Sequence, residues 1–207
     1  MRPHINGAEF ARAWRAGYQP AMAEVMDKGE WVILDVLHRR ILDRVLPEFG
    51  LDGMSDPERE QLNQVWHRLT PWPDSVAGLT RLKHHYAICS LSNGNRELLT
   101  DMAKHAGLPW NRILGAETFR KYKPHPDTYL GVAREFSVAP EEVMLAAAHH
   151  GDLEHARTCG LHTAYIERHF EYGADQPKAA ASWDRNDLHA TSIMNLADQL
   201  GCPAERA

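Results

Sequence analysis

The feature that most constrains this chain is a change of hydrophobic period near residue 74. Up to that point every apolar repeat is helical. Asn6 can cap a helix with Glu9 three residues on, and Phe10, Trp14 and Tyr18 then recur at every fourth position on one face. Pro20 should kink that helix. Leu34, Leu37, Ile41 and Val45 predict a second helix that stops at Gly50, and Ser55-Asp56-Pro57 starts a third carrying Leu62, Val65, Trp66 and Leu69. The two prolines of Thr70-Pro71-Trp72-Pro73-Asp74 forbid a continuing helix. Beyond that phrase, short apolar runs alternate with amphipathic helices, the pattern of a parallel sheet covered on both faces. Strands are predicted at Ala87 to Leu91, Ile113 to Ala116, Val143 to Ala147 and Thr163 to Ile166. Helices are predicted near Arg96 to Ala106, Pro126 to Phe136, Leu153 to Cys159 and Thr191 to Leu200, with Gly107 and Gly160 closing two of them. The class is α/β, with a helical unit over 1–72 and an α/β unit over 73–207.

Composition narrows the partners. A formal net charge of -5 with 43% apolar residues gives no basic footprint for nucleic acid, so small-molecule chemistry is the better expectation. Cys89, Cys159 and Cys202 are odd in number and far apart, which argues against a disulfide framework and for a reducing cytoplasm. No apolar run approaches the ~20 residues that span a bilayer, and Met1-Arg2-Pro3-His4 lacks the apolar core of a leader, so no membrane partner is expected. The thirteen histidines are scattered, and neither His84-His85 nor His149-His150 repeats at helical ligand spacing; no metal is expected.

In doubly wound sheets ligands lie beyond the carboxyl ends of the strands, which selects three segments. Ser92-Asn93-Gly94-Asn95 brings a hydroxyl, an amide and a helix start together after the first predicted strand. It suits an anion, and it is also ordinary turn chemistry. Lys121-Tyr122-Lys123-Pro124-His125-Pro126 holds Lys123 at the entry to a helix that presents Tyr129; a lysine there either neutralises a carboxylate or is simply solvated. Ala146-Ala147-Ala148-His149-His150-Gly151-Asp152 ends a buried strand, and its Asp152 is either a site carboxylate or an N-cap.

Taken together, Ser92-Asn93, Lys123-Pro124 and Asp152 with Gly160-Leu161 following resemble the second, third and fourth motifs of the haloacid dehalogenase superfamily. More narrowly, Trp14-Arg15, Pro71-Trp72-Pro73-Asp74, Leu91-Ser92-Asn93-Gly94-Asn95 and the six-residue step from Lys123 to Tyr129 are similar to L-2-haloacid dehalogenases. The resemblance runs from about Phe10 to Leu200. It implies a Rossmann-like core with a helical cap inserted after the first strand, a homodimer, a small 2-haloacid as substrate, and no metal or cofactor. The implied reaction is displacement of halide by an aspartate carboxylate, followed by hydrolysis of the ester.

Carried onto this sequence, Arg15 would hold the halide or the substrate carboxylate, Ser92 and Asn93 the substrate carboxylate, and Lys123 the nucleophile. Tyr129 and Asp152 would fix Lys123 and help place the hydrolytic water. Trp14 and Tyr18, with Trp31 and Trp72, would either line an apolar halide cradle or fill the core. Two departures stand out. Ala147 and His149 occupy places where the family often has serine and asparagine, and His149 can replace the missing donor or base. The superfamily nucleophile follows a central strand upstream of the cap. The expectation is therefore that a strand and its aspartate, on the order of ten residues, are absent from this sequence and that the chain alone is inactive. Asp35 in Trp31-Val32-Ile33-Leu34-Asp35 does not replace it, because the helical period of Leu34, Leu37, Ile41 and Val45 runs through it. The rival readings are a small-carboxylate-binding relative without turnover, and a magnesium phosphatase of the same superfamily. The phosphatase would need an acid four residues before Asp152, where this chain has Ala148.

Overall fold

A computed structural model describes residues 5–174, 176–178 and 185–203; the start read above for a leader lies outside them. The helical unit opens with α1 (Gly7–Ala16), whose N-terminal Ala8 and Glu9 amides donate to Asn6 Oδ1 at 3.2 Å each. The expected kink at Pro20 falls instead at Gly17, which separates α1 from α2 (Tyr18–Asp27). Pro20 sits in the first turn of α2, where no intrahelical N–H is lost. Gly17 is required for packing: a Cβ there would lie 2.5 Å from Ile41 Cγ2 of the next helix. That helix, α3 (Leu34–Val45), buries Leu34, Leu37, Ile41, Leu42 and Val45, and the chain then turns out at Gly50 with φ 67°. α4 (Asp56–Asn63) starts from a Ser55–Glu58 capping box, as expected, but gives way early to a 3-10 turn over Gln64–Arg68.

The α/β unit begins with a helix that the sequence does not announce, α5 (Ser75–Lys83). β1 (Cys89–Ser92), α6 (Arg96–Ala106), β2 (Arg112–Gly115), the single turn α7 (Ala116–Phe119) and α8 (Pro126–Phe136) follow. Then come β3 (Met144–Ala147), α9 (His150–Thr158), β4 (His162–Ile166), the short β5 (Leu188–Ala190) and α10 (Ile193–Gln199). All strand pairs are parallel, as the alternating pattern requires, but they form two pieces: β1 with β2, and β3 with β4 and β5. Among the described residues no strand pairs with the outer edge of β1 or of β3. β4, flanked on both sides, is buried along Thr163 to Ile166, whereas β1 is half-buried throughout and Ala146 of β3 is exposed. Leu91 of β1 and Val143 and Leu145 beside or within β3 pack around the same buried Tyr129.

Two larger apolar clusters hold the rest. The cap helices share theirs with Leu98, Ala116 and Tyr122 of the α/β unit, so the two units are packed together. The second joins α5, β4, β5 and α10 through Leu79, Leu82, Ala164, Ile166, Ala190 and Leu196. Among the described residues no helix is long and apolar enough to cross a membrane.

Candidate active site

Lys123 is the centre of the strongest polar cluster near the two strand edges. Its Nζ donates to Asp152 Oδ2 at 2.6 Å and to the Leu91 carbonyl of β1 at 3.1 Å, which places it between the two pieces of sheet. The other carboxylate oxygen, Oδ1, accepts from Tyr129 Oη at 2.7 Å. Asp152 therefore has a donor on each oxygen, and its orientation is fixed. Tyr129 is fully buried, and its phenol is pushed well above the usual range by burial and by its bond to the Asp152 carboxylate. The Lys123 amide donates to Asn93 Oδ1 at 2.7 Å, tying the turn after β1 to the entry of α8. Ser92 Oγ accepts from the Gly94 amide at 3.1 Å, which shapes that turn.

The cap completes the cluster. The Arg15 guanidinium lies 4.1 Å above the Tyr18 ring, a cation–π contact. The Tyr18 phenol is pushed up by burial and pulled down by the Asn93 side chain as hydrogen-bond partner and by the Arg15 charge; Asp152 acts on it from the core. Tyr18 is thus where cap and core groups meet. The arrangement gathers Arg15, Tyr18, Asn93, Lys123, Tyr129 and Asp152, with Ser92 at the adjoining turn. An ammonium, a guanidinium and an amide in this neighbourhood are groups that pair with a compact anion.

Other expected residues lie elsewhere. Trp14 is core filling: it packs edge-on against Phe10 and Trp66, and its Nε1 donates to His38 O at 2.8 Å. Trp31 lies against Tyr122, and Trp72 beneath Arg168, so the four aromatics form no common cradle. His149, half exposed, turns to Glu171, with Nε2 2.6 Å from Oε1. Burial pushes Glu171 up, but Lys178 and His149 outweigh it and hold the carboxyl below its usual range. Asp152 is not the N-cap, which is His149; it sits in the first turn of α9 and turns its carboxylate to Lys123 and Tyr129. Asp35 lies within α3, as the helical period requires, and its carboxylate faces Asn95 and His67. Asn95, His67 and Tyr122 were given no role in the sequence reading; Asn95 and Tyr122 carried a signal, as members of the Ser92–Asn95 and Lys121–Pro126 phrases, and His67 carried none.

The family model for haloacid dehalogenase-like hydrolases matches residues 3–146 of the 207, and the chain belongs to that family. Within it the chain is similar to 2-haloacid dehalogenases and, at 26% identity over 103 residues, to the phosphoglycolate phosphatase of Escherichia coli. The chain is 33% identical over 110 residues to the (S)-2-haloacid dehalogenase of Xanthobacter autotrophicus, a match covering 51% of this chain and 42% of that one. It superimposes on the crystal structure of a defluorinating L-2-haloacid dehalogenase with TM-score 0.91 and 49% identity, covering 96% of this chain and 82% of that one. A second L-2-haloacid dehalogenase structure gives TM-score 0.92 and 42% identity over 98% and 87% of the two chains. The chain spans about half the length of the curated relatives it matches, between 42% and 50%.

Proposed function

We propose that this protein is a 2-haloacid dehalogenase and that the site around Lys123 displaces halide from a small 2-haloalkanoate. The observation that carries the reading is the Lys123–Asp152–Tyr129 cluster at the gap between β1 and β3, closed from the cap side by Tyr18 and Arg15. In this reading an extended segment bearing an aspartate, from outside the 207 residues, lies between β1 and β3 and pairs with their free edges. Its carboxylate oxygen attacks C2 of the substrate; the carbon–halogen bond breaks and the halide leaves with the bonding pair. Water then attacks the carbonyl carbon of the ester, releasing the 2-hydroxy acid and the aspartate. The Lys123 ammonium holds the attacking carboxylate in place, and Asp152 and Tyr129 hold Lys123. Ser92 and Asn93 receive the substrate carboxylate, and Arg15 the departing halide or that carboxylate. Such donors act without reorganising as charge moves from oxygen to halide. A homodimer in the cytosol belongs to the same reading, in keeping with three free thiols at Cys89, Cys159 and Cys202.

The test is halide release from 2-chloropropionate by the chain carrying its native upstream coding sequence and by the 207 residues alone. The extended protein should turn over, and Lys123→Ala should reduce kcat by roughly 10²–10³-fold, the usual effect of removing one preorganised charge. Binding of the acid without halide release by the extended protein would replace the enzyme with a carboxylate-binding relative. No effect of Lys123→Ala on an active enzyme would remove Lys123 from the chemistry.

A further inference from the structure

The segment Trp31–Asp35, which joins α2 to α3, touches both site turns of the core. Tyr122 Oη donates to Val32 O at 2.7 Å, and the Trp31 and Tyr122 rings lie 5.0 Å apart. Tyr122 immediately precedes Lys123. Three residues further along the segment, Asp35 and Asn95 bond reciprocally: the Asp35 amide donates to Asn95 Oδ1 at 3.2 Å, and Asn95 Nδ2 donates to Asp35 Oδ2 at 2.7 Å. Asn95 stands two residues after Asn93. His67, from the end of the cap, bridges Asp35 Oδ1 at 3.2 Å and Asp101 Oδ2 of α6 at 2.9 Å. Asn63 Nδ2 holds the Asp35 carbonyl at 3.1 Å. Asn63, His67, Asn95 and Tyr122 are each 3% exposed, so losing a partner leaves a polar atom stranded away from water.

On its other side the segment runs straight into α3, which carries the geometry to the substrate-facing residues of the cap. Ile41 of α3 is in close contact with Gly17, between Arg15 and Tyr18, and the His38 carbonyl of α3 accepts from Trp14 Nε1. Arg15 and Tyr18 are thereby registered against the same helix that the core grips through Asn95 at Asp35 and, just before its start, through Tyr122 at Val32. Packed, hydrogen-bonded chains of this kind transmit position because neither part can shift without breaking a buried bond.

We propose that Asn95, Tyr122 and His67 are positioning residues: through the 31–35 segment they set Arg15 and Tyr18 over Asn93 and Lys123. The proposal rests on the dehalogenase reading for its kinetic consequence, though not for its structural one. With an active enzyme, Asn95→Ala and Tyr122→Phe should each raise KM for 2-chloropropionate about tenfold while kcat changes by less than about threefold, because the groups moved are binding groups. In an Arg15→Lys background the same changes should add little further, since the group they position is already altered. An unchanged KM, or an undiminished effect in the Arg15→Lys background, would overturn the proposal. Amide hydrogen exchange supplies the independent arm. Both variants should lose protection across residues 14–18, with the rest of α2 and α3 retaining it. Unchanged exchange there refutes the positioning role whether or not the protein turns over haloacid. Altered exchange in a protein that never releases halide instead sinks the dehalogenase reading and leaves the mechanical coupling standing.

Discussion

The cap and the sheet solve the same problem of burial in different ways. The cap packs helix on helix: α1, α2 and α3 interdigitate Phe10, Trp14, Met22, Leu37, Ile41 and Leu42, and every one of these is buried. The sheet leaves β1 and β3 half-buried, each with one edge free of any strand among the described residues, while β4 between two neighbours is buried from Thr163 to Ile166. Helices satisfy their own backbone and need only side chains to pack. Strands need a neighbour to satisfy theirs, so an unfilled place in a sheet shows as exposed strands on either side of it. The Lys123 cluster sits where the two solutions meet, its ammonium donating to the Leu91 carbonyl at one of those edges.

The sharpest way to break this comparison is to cut equally into both regions. Leu42→Ala, at a site with no exposure in the cap, should cost about 2–5 kcal/mol of unfolding free energy, measured by urea denaturation. Leu145→Ala on half-buried β3 should cost roughly 1 kcal/mol, in proportion to the area it hides. Equal losses would mean that the sheet is as closed as the cap. An effect between these two comes from His38, whose ring is pushed down to about 4, first by burial and then by the Arg15 and His67 charges. Its folded value lies below the ordinary 6.5, so the unfolded chain binds the extra proton first as pH falls. The stabilisation is complete above pH ~6.5 and should be lost progressively toward pH ~4, by at most about 3 kcal/mol. His38→Gln should flatten that limb of the stability profile, and a variant with an unchanged slope would place the sensitivity elsewhere. The smallest effect belongs to the cap's edge: Ser55→Ala removes one half of a capping box and should lower stability by ~1 kcal/mol without altering the sheet.

Where glycine or proline marked a helix end the reading survives, whereas Pro20, read as a kink, lies within the first turn of α2. α6 and α8 lie as expected because Gly107 and Pro126 mark their ends, and α3 because its period is unbroken and Gly50 stops the chain. α5 was missed because its reason for existing is remote: Gly78 sits at its centre, a poor helix former on its own, chosen for contact with Ile193. β5 has three residues, too few for a period to show. At the site, Asn93, Lys123, Tyr129 and Asp152 were legible because they recur in a motif order, and they come together. Trp14 was not, since an amphipathic repeat says that a face is buried without saying against what. Tyr122, His67 and Asn95 act across 90, 32 and 60 residues of chain, which no local pattern encodes.

The contact between α5 and α10 has a consequence for how the molecule is made. Arg81 of α5 donates to Asp198 of α10 across 117 residues of sequence, and Gly78 lets the two helices nearly touch at Ile193. A ribosome delivers the cap early, and its helices can find one another while synthesis continues. The first helix of the second unit must wait for α10 to emerge, so that unit matures only after α10 is made, when the slow, long-range step becomes available.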